Sequence, residues 1–271
     1  MDIKNILLVM RDGDACVGQL ALAASLANAF DGVVEGVGVF YETEVVGAAP
    51  GSVDKVGDHA VRGHCARQAS AAYAETLGVS ARSIGWSILE GEGSGWKIVR
   101  QARTADLIIV AVPGKDRTDR RLVETLAIQS GAPCLLVPCD HTRRGPFDRV
   151  VLAWDGSREA KQAMDRGMPF MRRARAVSVV MVHEEGAEAR CEAGGAALLA
   201  HLARHGARAD LELIARPGKS VGETLIDQCV RCEADLLLIG AYGHHQPTGM
   251  VLGSATRTLL ARAPLPVLMA H

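Results

Sequence analysis

Gly240, Gly243, Gly253 and Ser254 are the residues of this chain best suited to holding an anion. Two residues separate the first pair and nine separate Gly243 from Gly253, and the set follows an apolar run, Leu236 to Ile239, that reads as a buried parallel strand. Glycine lets a backbone turn sharply off a strand and brings its N–H groups close to a bound anion. A helix beginning at Gly253-Ser254 would then aim its N-terminus at a phosphate. Ser254 is expected to cap that helix and to offer its hydroxyl to a phosphate oxygen. A glycine-rich loop with an ordinary serine cap would look the same, so the surroundings decide.

Those surroundings repeat. Ala105-Asp106-Leu107-Ile108-Ile109-Val110 returns as Ala234-Asp235-Leu236-Leu237-Leu238-Ile239, Asn5-Ile6-Leu7-Leu8-Val9 as Arg149-Val150-Val151-Leu152-Ala153, and Pro133-Cys134-Leu135-Leu136-Val137 as Pro266-Val267-Leu268-Met269. Each copy alternates short apolar runs with helix-period segments, which predicts α/β units built on open parallel five-stranded sheets. In the second copy the expected strands are Arg149 to Trp154, Val177 to His183, Ala209 to Ala215, Asp235 to Ile239 and Pro266 to Met269. Between the first two, a helix over Ser157 to Arg173 would bury Ala160, Ala163, Met164, Gly167, Met168 and Met171 on one face. The polar stretch Pro138 to Pro146 reads as a linker, which divides the chain into units at 1–138 and 147–271. Each closing strand would be an exposed apolar edge unless the two meet across an approximate two-fold, giving an intramolecular pseudo-dimer.

The copies differ where it matters. Residues Thr43 to Asp58 form an insertion that reads as a mobile loop. After Val110 the first copy runs Ala111-Val112-Pro113-Gly114-Lys115-Asp116-Arg117, keeps only Gly114 of the glycine set, and adds Asp116 and Asp119. The first phosphate site is therefore read as degenerate.

Composition narrows the functional classes. The chain has 271 residues, with 30 Lys plus Arg against 31 Asp plus Glu, so no basic excess argues for nucleic acid or an anionic membrane surface. No apolar run reaches membrane-span length, Met1 to Met10 lacks the plan of a secretory signal, and the seven scattered cysteines suit a reducing compartment; a cytoplasmic protein is expected. Cys229 and Cys232 have CxxC spacing but fall late in a predicted helix without a second pair, so they read as buried structural residues. His183-Glu184-Glu185 lacks the second histidine of a zincin helix. Gly218-Lys219-Ser220 fails as a Walker loop because the first glycine would fall at Leu213, and neither first-strand turn carries the three glycines of a dinucleotide fingerprint.

With Asp155-Gly156-Ser157 after its first strand and the glycine set after its fourth, the second unit resembles the universal stress protein family, and the repeat extends the scaffold over the whole chain as a tandem pair. The resemblance implies an adenine nucleotide, ATP or AMP with or without Mg²⁺, at the switch point between the first and fourth strands. Open parallel sheets bind ligands there on independent grounds. Position by position it implies that Asp155 faces the adenine and Val182 packs on it, while Gly240, Gly243, Gly253 and Ser254 hold ribose and phosphates. Asp155 also suits a plain turn. Arg257, His244 and His245 read as solvated side chains as readily as ligands. In the first unit, Met10-Arg11-Asp12-Gly13-Asp14 has one extra residue before Asp-Gly, so Arg11 or Asp12 could take the base-facing place.

Three functions remain open: a nucleotide-binding stress or signalling protein with an unknown protein partner, a slow ATP hydrolase, and an interaction scaffold without nucleotide. No residue stands out as the base or metal anchor that phosphoryl transfer needs, so no catalytic or metal-binding residue is assigned and a non-enzyme is expected. Beyond the pseudo-dimer, association of two chains into a homodimer stays open.

Overall fold

The structure is a computed structural model and describes residues 2–11, 17–40, 84–90, 94–112, 117–143, 145–186, 188–216, 218–241 and 253–271. The insertion at 43–58, the first-copy loop at 113–116, and Gly243, His244 and His245 lie outside the described residues.

The first half runs β1 (Asn5–Arg11), α1 (Val17–Phe30), β2 (Val33–Phe40), β3 (Ile84–Glu90), α2 (Ser94–Ala102), β4 (Leu107–Ala111), α3 (Arg117–Gln129) and β5 (Cys134–Val137). The second runs β6 (Arg149–Ala153), α4 (Arg158–Met171), β7 (Ala176–His183), α5 (Glu188–Arg204), β8 (Asp210–Ala215), α6 (Val221–Arg231), β9 (Leu236–Gly240), α7 (Ser254–Arg262) and β10 (Val267–Ala270). The five strands predicted for the second half all form, each within a residue of its expected limits.

The two expected sheets are one. Its order is β3-β2-β1-β4-β5-β10-β9-β6-β7-β8, parallel within each half and antiparallel only where β5 meets β10. Leu268 lies opposite Leu135, and Met269 opposite Cys134. All four residues are buried, which is why neither closing strand is left as an edge.

Alternation along the strands sorts the core into two layers. Leu7 and Val9 face the helices α2, α3, α6 and α7, whereas Ile6 and Leu8 face α1, α4 and α5. Strands β4, β5 and β10 are buried along their full length, as the interior of a parallel sheet covered on both faces requires. Across the middle, Phe30 of α1 meets Phe170 of α4 edge-on at 5.4 Å, Phe147 meets Phe170 at 5.6 Å, and the Arg173 guanidinium lies 4.6 Å from the Phe30 ring centre. Phe170 is thus a core residue that the helix pattern left out, beside the expected Ala160, Ala163, Met164, Gly167 and Met171, while Met168, also expected there, is only half-buried.

The repeated Ala-Asp-Leu has a structural role. Asp106 Oδ2 accepts the N–H groups of Lys4 and Asn5, each at 2.9 Å, and fastens the entry of β1 to that of β4. In the second copy Asp235 accepts Asp148 N–H and Arg149 N–H, both at 2.9 Å, and fastens β6 to β9.

Cys229 is buried and Cys232 half-buried at the end of α6. Burial pushes the Cys229 and Cys134 thiols up to about 12 from an ordinary 9.0. An alkylating reagent near pH 8 is therefore expected to modify exposed Cys139 well before either of them, as mass spectrometry of a labelling time course would read. Because these folded-state values lie above the unfolded one, the stability these thiols contribute is complete below pH 9.0 and is lost as pH rises towards about 12.

Candidate functional site

The site grows from the carboxyl ends of β6, β7, β8 and β9. After β6, Trp154 N–H still donates to Val180 O at 2.9 Å, and the chain then turns at Asp155-Gly156-Ser157. Asp155 Oδ1 accepts Ser157 N–H at 2.9 Å, and Gly156 takes φ +78°, a left-handed conformation that costs glycine little. Ser157 caps α4 by accepting Ala160 N–H at 3.1 Å. The turn role considered for Asp155 is thus realised, and the same residue also lines the cavity described next.

That cavity, of ≈ 290 Å³, lies over the switch point and sits near the lower end of the ~300–1,000 Å³ typical of small-molecule sites. Asp155, Val182, Gly240, Gly253 and Ser254 all line it, although Asp155 and Ser254 stand far apart in the chain. Val180, Val182, Val221 and Leu225 form an apolar wall, and Glu184 and Arg216 stand at the ends of β7 and β8. Arg257, one turn into α7, is exposed and is not among the lining residues.

Gly240 has a reason of its own. A Cβ there would stand 2.4 Å from the Glu159 carbonyl carbon and 2.5 Å from Ala160 N, so the bare backbone is what lets the start of α4 rest on the end of β9. Gly253 is different, because among the described residues the nearest atom to an added Cβ is Thr256 Oγ1 at 4.0 Å. Its φ of −55° is ordinary, so a side chain there would meet no described residue closely and would not strain the backbone.

One expectation needs correcting. Ser254 does not cap α7; Gly253 does, and Ser254 is the first helical residue. The chain leaves the extended region one residue earlier than the serine rule suggests. The difference matters for electrostatics. The N-terminus of α4 is closed by Ser157 and that of α6 by a reciprocal Ser220–Glu223 box, but among the described residues α7 has no side-chain cap. The N–H groups of Ser254, Ala255 and Thr256 have no acceptor within their own helix, at the positive end of its dipole, and all three residues line the cavity. Among the described residues, no group of three or more His, Cys, Asp or Glu could hold a metal ion.

Trp154, Arg216 and Thr256 were not singled out from the sequence, and Glu184 was weighed there only as part of a zincin motif. The rule that could have found two of them is the one used for Asp155, since Glu184 and Arg216 immediately follow strands whose carboxyl ends form the mouth.

Residues 146–271 match the model of the universal stress protein family. No curated protein matches the chain. Among solved structures, a universal stress protein from Archaeoglobus fulgidus DSM 4304 is similar, with a TM-score of 0.74 and 15% identity over 98% of this chain and 97% of that one. A putative universal stress protein from Pseudomonas aeruginosa UCBPP-PA14 has a TM-score of 0.63 and 15% identity over 99% of this chain and 93% of that one. At such identities the likeness concerns the fold. No helix among the described residues is long and apolar enough to cross a membrane. Residues 146–271 thus form a universal stress protein domain, and almost the whole chain shares the fold of the solved universal stress proteins.

Proposed function

We propose that the second half binds one adenine nucleotide, ATP or AMP, with the base on the Val180–Val182 wall near Asp155 and the phosphates at the N-terminus of α7. The observation that carries this reading is the convergence of Asp155, Val182, Gly240, Gly253 and Ser254 on one cavity beside a helix N-terminus that has no side-chain cap among the described residues. In this reading the chain is a tandem pair with units at 1–138 and 147–271, a cytoplasmic binder or switch acting in stress response or signalling through a protein partner.

Only the second half is proposed to bind. Ala111 stands where the second copy has Gly240. Gln19, third residue of α1, stands where Ala160 is the third residue of α4. Its Nε2 donates to Val9 O at 3.1 Å, so the amide lies over the end of β1, and its buried Oε1 has no hydrogen-bond partner among the described residues. Calorimetry with ATP and with AMP is expected to give one site per chain, and mass spectrometry of ligand released on denaturation is expected to return an adenine nucleotide. Two equal sites, or no adenine compound bound at millimolar concentration, would refute the reading.

Gly253→Val should abolish binding and leave the thermal melt nearly unchanged, because the side chain enters the space assigned to phosphate without straining the backbone. Steady-state ATP turnover should stay well below the ~10 s⁻¹ of a typical enzyme. Backbone N–H groups bind the ground state and the transition state alike unless aimed at developing charge. A rate at or above that level, lost on Ser254→Ala, would make the protein a hydrolase.

A further inference from the structure

The parallel register sets Val182 beside Ile214 and His183 beside Ala215, so Glu184 and Arg216 leave the sheet as neighbours. Residues two apart share a face, which puts both on the side of Val180, Val182 and Ile214, beneath the cavity. Arg216 is held at two points. Its Nη2 pairs with the Glu184 carboxylate, and its Nη1 donates to Lys219 O at 3.3 Å. The side chain is 33% exposed, and among the described residues no other Lys or Arg lines this cavity.

The first role to consider for a lone cation in a nucleotide cavity is phosphate neutralisation. Its placement argues for another. In the order β9-β6-β7-β8, Arg216 follows the strand three places from the one that leads to Gly253, and neighbouring strands lie roughly 4.8 Å apart. Glu184 already takes one side of the guanidinium, and the other acid lining the cavity is Asp155, so a phosphate brought to this end would meet two carboxylates. Val182 and Leu225 instead offer a bed for a flat ring. A guanidinium whose plane is fixed by two acceptors keeps further N–H groups for a ring nitrogen.

We propose that Arg216 is a specificity-determining residue that closes the base end of the cavity and donates a hydrogen bond to an acceptor nitrogen of the base, with Glu184 as the positioning residue that holds it. This rests on the nucleotide reading given above.

The test is calorimetry of the full chain with adenosine and with ATP, for wild type, Arg216→Met and Glu184→Gln. Arg216→Met is expected to weaken adenosine and ATP by the same factor, about tenfold, the worth of one hydrogen bond to a charged donor. Glu184→Gln should weaken both by a smaller common factor. If Arg216→Met does not fold, Arg216→Lys, which keeps the charge and loses the fork, should show the same equal loss. A loss confined to ATP would make Arg216 a phosphate ligand, and no loss with either compound would make it a surface charge; each overturns the proposal. A wild-type chain that binds neither compound overturns the nucleotide reading itself, and the two failures are thereby told apart.

Discussion

Gly240→Ala is expected to lose nucleotide binding and about 1–3 kcal/mol of stability together, the usual cost of forcing a methyl group into a packed place. The new Cβ would meet the Glu159 carbonyl carbon at 2.4 Å and Ala160 N at 2.5 Å, and both are backbone atoms that no rotamer change can remove. The N-terminus of α4 would have to lift from β9. Ser157, its cap, and Asp155, whose carboxylate is bonded to Ser157 N–H, would move with it. The measurement is a urea melt beside a titration with ATP. A variant as stable as the parent within about 0.5 kcal/mol would show that α4 does not depend on this contact. Gly253→Val is the contrast, with binding lost and stability kept, so the pair separates a glycine needed for packing from one needed for space.

The second large effect is expected at Asp235. Its side chain is 4% exposed and accepts two backbone N–H groups, with the Arg143 guanidinium 3.4 Å away. Asp235→Ala leaves Asp148 N–H and Arg149 N–H without their acceptor at the entry of β6, and should cost about 2–4 kcal/mol in a urea melt. Asp106→Ala, the same change at a half-buried place in the first copy, should cost less. Equal costs, or less than about 1 kcal/mol at Asp235, would mean that water replaces the carboxylate at both strand entries.

Much of the fold was legible along the chain. Runs such as Leu107 to Val110 and Leu236 to Ile239 are too apolar and too short for anything but strands of a sheet covered on both faces, and their repetition announced two copies. Of the cavity residues, Gly240, Gly253 and Ser254 were legible from glycine spacing after an apolar strand, whereas Asp155 and Val182 came from the resemblance to the universal stress protein family, with the carboxyl-end rule agreeing for Asp155.

Tertiary structure decided what depends on distance between separate elements. The fusion of the sheets through β5 and β10 needed the two edges to meet in register, and the pairing of Arg216 with Glu184 needed β8 to lie against β7 at one particular offset. Whether Gly253 or Ser254 caps α7 turned on where a single residue leaves the extended region, and the local pattern does not define that boundary. Gly240 shows the division most clearly. Its type and place could be read from the chain as part of a phosphate loop, but the reason that any side chain is excluded there is the approach of Glu159 and Ala160, residues some eighty positions earlier that only the crossing of α4 over β9 brings near.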